Sequence, residues 1–124
     1  MPLKKVLIIE DDRLIRITTS ILLRQEGIAA CTAASAAEGL ELAEREKPDA
    51  ILLDLQLPDG DGWEVLARLK KIAAAAHIPV LITTAADDGP SAAEARRRGA
   101  LGLLRKPFNV ERLLRALPGK RKAP

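Results

Sequence analysis

Five short, mostly apolar runs alternate along the chain with five segments of helical periodicity. The apolar runs are residues 6–9, 28–33, 50–53, 80–83 and 101–104. Apolar side chains at successive positions indicate strands that are covered on both faces, as in a parallel sheet. Helices between consecutive strands supply that cover. The alternation therefore predicts an α/β fold, in which a five-stranded parallel sheet carries helices on both sides.

Periodicity and end signals predict where the five helices lie. They cover residues 13–25, 35–46, 63–74, 91–98 and 109–117. The first helix carries four apolar residues at helical spacing: Leu14, Ile17, Ile21 and Leu22. Gly27 follows it, where a glycine is favoured. Ser35 with Glu38 forms a capping box, and Asn109 is suited to cap the last helix. These signals divide the chain into five strand–helix units.

Composition favours one domain and argues against nucleic acid as a direct partner. The chain has 124 residues, and 48% of them are hydrophobic, which is enough for a buried core. It has 20 basic and 17 acidic residues, but three of the basic ones, Lys120, Arg121 and Lys122, lie in a short tail. The remaining body is neutral, which argues against a nucleic-acid-binding surface. We predict one domain over residues 1–117 and a basic tail or linker over residues 118–124.

Cysteine usage and hydropathy favour a cytoplasmic location without a membrane partner. Cys31 is the single cysteine, so no internal disulfide can form, as is usual in a reducing compartment. The longest near-apolar stretch, residues 72–86, is interrupted by His77 and Pro79. It is therefore a poor candidate for a membrane span.

Polar residues follow four of the five predicted strands at the point where each strand ends. Glu10 and Asp11 follow the first strand, Asp54 the third, Thr84 the fourth and Lys106 the fifth. Each has an ordinary alternative explanation, such as helix capping, a strand-end hydrogen bond or a surface turn. Right-handed crossovers, however, bring the carboxyl ends of parallel strands to one edge, where ligands bind in such folds. We therefore predict one site at this edge.

The residue types at this edge suggest phosphoryl transfer. Carboxylates from two strands repel each other, and a hard divalent cation such as Mg²⁺ relieves that repulsion through oxygen ligands. Asp54 is a candidate nucleophile, because a carboxylate can form an aspartyl phosphate. Lys106 and Thr84 are candidates to neutralise and hydrogen-bond the phosphoryl oxygens.

Four segments, in their order and spacing, resemble the receiver domains of bacterial two-component response regulators. The segments read VLIIEDDR, ILLDLQLPDGDG, LITTA and LLRKPF, and the resemblance runs from about residue 4 to residue 117. It implies a flavodoxin-like, doubly wound fold with strand order 2-1-3-4-5. It also implies a phosphorylation-dependent signalling switch, in which Asp54 accepts a phosphoryl group from a sensor histidine kinase or a phosphotransfer protein. The phosphorylated form would then change its affinity for a partner.

The resemblance also implies the metal site. Asp11 and Asp54 would bind Mg²⁺ directly, together with the backbone carbonyl of Gln56, and Glu10 would act through a water molecule. Asp12 receives no metal role.

On the phosphoryl side, the resemblance assigns contacts to Thr84 and Lys106 and implies a cis bond between Lys106 and Pro107. Two neighbours depart from the family pattern. Leu103 stands where an aromatic switch residue is common, and Arg105 replaces a commonly apolar residue. The downstream protein partner would bind the face formed by the fourth helix, fifth strand and fifth helix, or the mouth of the site itself. Because Leu103 and Arg105 depart from the family pattern, the sequence leaves open how phosphorylation would change the structure.

Two other functions remain alternatives to a receiver. A haloacid-dehalogenase-like phosphatase also uses a strand-end aspartate with Mg²⁺, but it requires a second aspartate where this chain has Gln56. A degenerate receiver that only binds partners would not need the complete set of acids, Thr84 and Lys106. We therefore expect no enzyme in the ordinary sense, but a receiver that assists its own phosphorylation and dephosphorylation.

Overall fold

The computed structural model describes residues 3–85 and 89–119. The strands are β1 (Lys5–Ile9), β2 (Ala29–Ala33), β3 (Ala50–Asp54), β4 (Gln56–Leu57), β5 (Gly60–Asp61), β6 (Val80–Thr84) and β7 (Gly102–Arg105). The helices are α1 (Arg13–Gln25), α2 (Ala36–Glu46), α3 (Gly62–Lys71), α4 (Ala92–Arg97) and α5 (Val110–Ala116). Of the predicted tail, residues 118–124, the part from residue 120 to residue 124 lies outside the described residues.

The main sheet has five parallel strands in the order β2-β1-β3-β6-β7. Counted among themselves, these strands follow the order 2-1-3-4-5, so the predicted flavodoxin-like fold is confirmed. Asp54 is paired in register with Thr83, and Thr84 with Arg105. The polar ends of the central strands therefore lie side by side at one edge.

Aliphatic side chains form a core on each face of the sheet. Leu7 and Ile9 of β1 belong to a cluster with apolar residues of α2, α3 and α4. Val6 and Ile8 point to the other face and join a cluster with α1 and α5. Burying each such side chain contributes about 1.5–3 kcal/mol. The continuous apolar pattern of β1 is thus explained by helices on both faces.

Most element ends agree with the sequence prediction to within one residue, and two places differ by more. Residues 56–61, which lie between the predicted third strand and third helix, form a small antiparallel hairpin of β4 and β5. Helix α3 ends at Lys71 rather than at residue 74, and non-helical turns lead from it to β6. The predicted caps are present, since the Ser35 and Asn109 side chains accept hydrogen bonds from the backbone N–H groups of Glu38 and Arg112.

Helix α1 exposes three of the four apolar residues that predicted it. Leu14, Ile17 and Ile21 are 73%, 45% and 49% exposed, whereas Thr19 and Ser20 are buried. Ser20 tolerates this position because its hydroxyl donates to the carbonyl oxygen of Arg16 at 2.8 Å. The helical spacing therefore predicted the helix but not which side of it faces the core.

Among the described residues, no helix combines the length and apolar character needed to cross a bilayer.

Candidate functional site

Three carboxyl groups meet at the carboxyl edge of the sheet. Glu10 and Asp11 directly follow β1, and Asp54 is the last residue of β3. One carboxylate oxygen from each lies within 4.8 Å of the others. Glu10 and Asp54 are 2% and 5% exposed, whereas Asp11 is exposed. The structure thus juxtaposes the three acids as their strand ends predicted.

Lys106 brings a positive charge into this cluster from the end of β7. Its Nζ forms an ion pair with Oε1 of Glu10 and lies 3.2 Å from Oδ2 of Asp54. Its backbone N–H donates to the carbonyl oxygen of Thr84 at 2.8 Å. The Lys106–Pro107 peptide bond is cis, as predicted. One ammonium group therefore contacts the acids of two different strands.

Burial and pairing act in opposite directions on these charges. Burial raises the pKa of Glu10 to about 7, although the hydrogen bond from Lys106 opposes this rise. Burial by itself lowers the pKa of Lys106, but contacts with Glu10 and Asp54 outweigh it, so its pKa is raised. Lys106 therefore stays charged, whereas Glu10 is the acid whose ionisation the site opposes.

The backbone after β3 holds Asp54 in place. The N–H of Gln56 donates to Oδ1 of Asp54 at 3.3 Å, and the N–H of Gly62 donates to the carbonyl oxygen of Leu55 at 2.9 Å. A Cβ atom on Gly62 would lie 2.6 Å from the carbonyl oxygen of Asp54 and 2.6 Å from Cα of Leu55. Glycine is therefore required where α3 begins against the Asp54 loop.

Thr84 is buried at the end of β6. It does not line the cavity that opens at this edge of the sheet. That cavity, of about 630 Å³, is lined on its polar side by Glu10, Asp11, Asp54 and Lys106. Its apolar side includes Leu14, Ile15, Leu22, Pro107 and Phe108. The acids thus lie at one end of an open cleft whose other wall is α1.

Two sets of contacts hold the loop between β1 and α1; the first is the helix cap that the sequence offered as an alternative, and the second did not follow from the sequence. The side chain of Asp12 caps α1 by accepting from the N–H of Ile15 at 3.1 Å. Nη1 of Arg16 donates to the carbonyl oxygens of both Glu10 and Asp11 at 2.8 Å. The sequence signal for these hydrogen bonds was an arginine placed one turn into the helix that follows the acidic loop. Arg16 therefore fixes the backbone that presents the acids.

The donor set suits a hard divalent cation. Carboxylate oxygens are the ligands that Mg²⁺ prefers, and three of them lie within 4.8 Å of one another. Lys106 compensates only part of their negative charge. The acidic cluster could therefore hold a metal ion without any large rearrangement of its backbone.

The sheet order and the acids at its carboxyl edge are those that the resemblance to receiver domains implies. Residues 6–118 match the family described as the response regulator receiver domain, and the chain belongs to this family. Receiver domains are signalling switches rather than classical enzymes, and their signalling depends on phosphorylation. They interact with histidine kinases or phosphotransfer proteins and with downstream partners.

Individual relatives agree with this assignment. Sporulation initiation phosphotransferase F of Bacillus subtilis is 34% identical over 110 residues, which cover 89% of this chain and 87% of that protein. The transcriptional regulatory protein PdtaR of Mycobacterium tuberculosis is 35% identical over 92% of this chain, which spans about half (55%) of its length. The receiver domain of a Pseudomonas aeruginosa sensor histidine kinase, solved with magnesium in its active site cleft, has a TM-score of 0.81 and 26% identity, covering 90% of this chain and 92% of that one.

Proposed function

We propose that Asp54 accepts a phosphoryl group from a phosphohistidine of a sensor kinase or phosphotransfer protein, and that this changes the affinity of the chain for a downstream partner. The observation that carries the proposal is the position of Asp54. Its carboxylate is buried, lies 3.2 Å from the ammonium of Lys106 and shares a cluster with Glu10 and Asp11. A buried carboxylate next to a cleft and a cation is suited to nucleophilic attack on an anionic donor.

In the proposed reaction, an oxygen of Asp54 bonds to phosphorus while the bond between phosphorus and the donor nitrogen breaks. The bonding electron pair leaves with the imidazole. Lys106 neutralises charge on the phosphoryl oxygens, and the Thr84 hydroxyl hydrogen-bonds one of them. In the return step, a water oxygen bonds to phosphorus while the bond between phosphorus and the Asp54 oxygen breaks, which releases inorganic phosphate and restores the carboxylate. Lys106 and Thr84 would hold the phosphoryl oxygens in this step too, and in this way the chain would assist its own dephosphorylation.

The side chains of Asp11 and Asp54 and the backbone carbonyl of Gln56 would bind Mg²⁺ directly, and Glu10 would act through a water molecule. When bound, the ion supplies positive charge for the carboxylates and for the phosphoryl oxygens. Support comes from the clustered carboxylate oxygens and from the related receiver solved with magnesium in its cleft.

The phosphodonor protein is proposed to dock over α1. To reach Asp54, a histidine must enter the cleft, so the protein that carries it must cover the rim. Leu14 is exposed at this rim, and Ile17 and Ile21 continue the exposed apolar surface along the helix. An apolar surface next to a reactive site marks an interaction site.

Charge indicates the chemistry of that phosphodonor surface. Helix α1 contains Arg13, Arg16 and Arg24 and no acidic residue. Within the described part of the chain, no acidic side chain forms a salt bridge with these arginines. Two copies of α1 would repel each other, whereas an apolar surface edged by acidic side chains would be complementary. The proposed donor therefore presents such a surface.

The downstream partner is proposed to bind the face formed by α4, β7 and α5. Support comes from the family resemblance and from the position of β7, whose last residue, Arg105, directly precedes Lys106. A change at the phosphorylation site can therefore reach this face through one strand.

A phosphorylation assay with acetyl phosphate tests the proposal. Wild type with Mg²⁺ should acquire a stable label, and removal of the metal with EDTA should abolish it. Asp54→Asn keeps the size of the side chain but removes the nucleophile, so it should acquire none; Asp61→Asn, an exposed helix cap, is the matched control. Equal labelling of Asp54→Asn would refute the assignment. Turnover of phosphate esters would instead support a phosphatase, and neither labelling nor turnover would support a module that only binds partners.

A further inference from the structure

Arg105 connects the phosphorylation edge with the segment that leads into α4. It is the last residue of β7, is paired in register with Thr84 and directly precedes Lys106. Its Nη2 donates to the carbonyl oxygen of Pro90 at 3.0 Å in a partly buried hydrogen bond. One side chain thus joins the strand end at the site to a loop fifteen residues earlier in the chain.

Pro90 lies immediately before the start of α4, so its hydrogen bond with Arg105 acts on that helix. Ser91, the next residue, is the N-cap of α4 and accepts from the N–H of Glu94 at 3.1 Å. At the other end of α4, the guanidinium of Arg98 lies 4.5 Å from the ring centroid of Trp63 in α3. Helix α4 is therefore held at its start by β7 and at its end by α3.

Leu103 cannot provide such a connection. It is partly buried, packs against the apolar core and has no hydrogen-bonding group in its side chain. A signal that passes from the end of β7 to α4 through a directed contact needs a longer, polar side chain, and Arg105 has one in place. The guanidinium is planar and always charged, so its hydrogen bonds are directional at every physiological pH.

We infer that Arg105 is the positioning residue that couples phosphorylation at Asp54 to the start of α4. The inference rests on the proposed function. When a phosphoryl group engages Lys106 and Thr84, the paired ends of β6 and β7 adjust. Arg105 passes this adjustment to Pro90 and hence to α4.

The test uses the full chain with Mg²⁺ and beryllofluoride, which mimics an aspartyl phosphate. Hydrogen exchange over residues 89–99 and the fluorescence of Trp63, the single tryptophan, report on α4. Arg105→Met keeps the length but removes every donor. Arg112→Met is the control, since Arg112 is an exposed arginine of α5. We expect wild type and Arg112→Met to respond alike, and Arg105→Met to bind beryllofluoride as tightly as wild type while losing more than half of both responses.

Arg105→Lys keeps the charge and one donor group, so it should restore part of both responses. It also carries the test if Arg105→Met does not fold. A full response in Arg105→Met would overturn the inference and leave the proposed function intact. Loss of beryllofluoride binding in Arg105→Met would also overturn it, because Arg105 would then act in the site itself. No response in wild type, with binding no stronger than in Asp54→Asn, would overturn both proposals.

Discussion

Helices α1 and α3 have similar sequence patterns but use their apolar residues differently. Helix α3 buries Val65, Leu66 and Leu69 in the core. Helix α1 leaves Leu14 and Ile17 in contact with solvent, although both recur at the spacing of a packed face. The difference separates two uses of amphipathic periodicity: α3 stabilises the fold, whereas α1 exposes apolar residues to solvent, where we propose that a partner binds.

The largest expected effect comes from removing a side chain that α3 buries in the core. Leu69→Ala removes a fully buried side chain and should lower the free energy of unfolding by about 2–5 kcal/mol. Ile17→Ala on α1, which is 45% exposed, should change it by no more than about 0.5 kcal/mol. Urea denaturation followed by circular dichroism measures both. Similar losses in the two variants would mean that α1 contributes to the core as much as α3 does.

The start of α3 should also be sensitive to added volume. In Gly62→Ala, the new Cβ would meet the backbone of Asp54 and Leu55 at 2.6 Å, so we expect a loss of about 1–3 kcal/mol. Slower labelling by acetyl phosphate should accompany it, because the Asp54 loop must move. Gly60→Ala is the control, since its Cβ would meet only Cβ of Ala36 at 3.7 Å. Equal thermal stability of the two variants would contradict the close packing.

A charge on the exposed side of α1 should affect partner recognition rather than folding. We expect Ile17→Glu to slow phosphoryl transfer from a phosphodonor protein by about tenfold, or ~1.4 kcal/mol, because the substitution places a charge in an apolar contact. Labelling by acetyl phosphate should remain at the wild-type rate. Leu101→Glu, at an exposed leucine outside α1, is the control for adding a surface charge. Unchanged transfer in Ile17→Glu would exclude the apolar surface of α1 as the docking site.

The smallest expected effect concerns a feature that the two helices share. Asp12 caps α1 and Asp61 caps α3, each by accepting a backbone hydrogen bond from the first turn. Replacing either by alanine should lower the free energy of unfolding by about 1 kcal/mol, measured in EDTA so that metal binding does not contribute. If Asp12→Ala were neutral while Asp61→Ala was destabilising, the start of α1 would be held by Arg16 rather than by its cap.

Local patterns predicted most of the secondary structure. Each apolar run became a strand of the main sheet, and α1 has the predicted bounds, residues 13–25. The hairpin at residues 56–61 was missed because its two-residue strands have no periodicity of their own. The predicted end of α3 at residue 74 was wrong because residues 72–74 read Ile-Ala-Ala and contain no glycine or proline that would signal a helix end, and only the chain path towards β6 ends the helix.

The candidate site was predictable in its members and less so in its contacts. Glu10, Asp11, Asp54 and Lys106 could be placed at one edge because parallel strands end together. Their phosphorylation and metal-binding roles remain predictions. The hydrogen bonds of Arg16 to the acidic loop depend on how α1 leaves β1, and that path has no signature in the spacing of residues.

The sequence by itself determined the alternation of strands and helices, the apolar cover on both faces of the sheet and the polar residues at the strand ends. These properties depend on neighbours along the chain, or on a rule shared by all parallel sheets. Tertiary structure alone decided that Lys106 contacts Glu10, that Arg105 reaches Pro90 and that α1 turns Ile17 to solvent. Each of these depends on the distance and rotation between separate elements, which periodicity within one element does not encode.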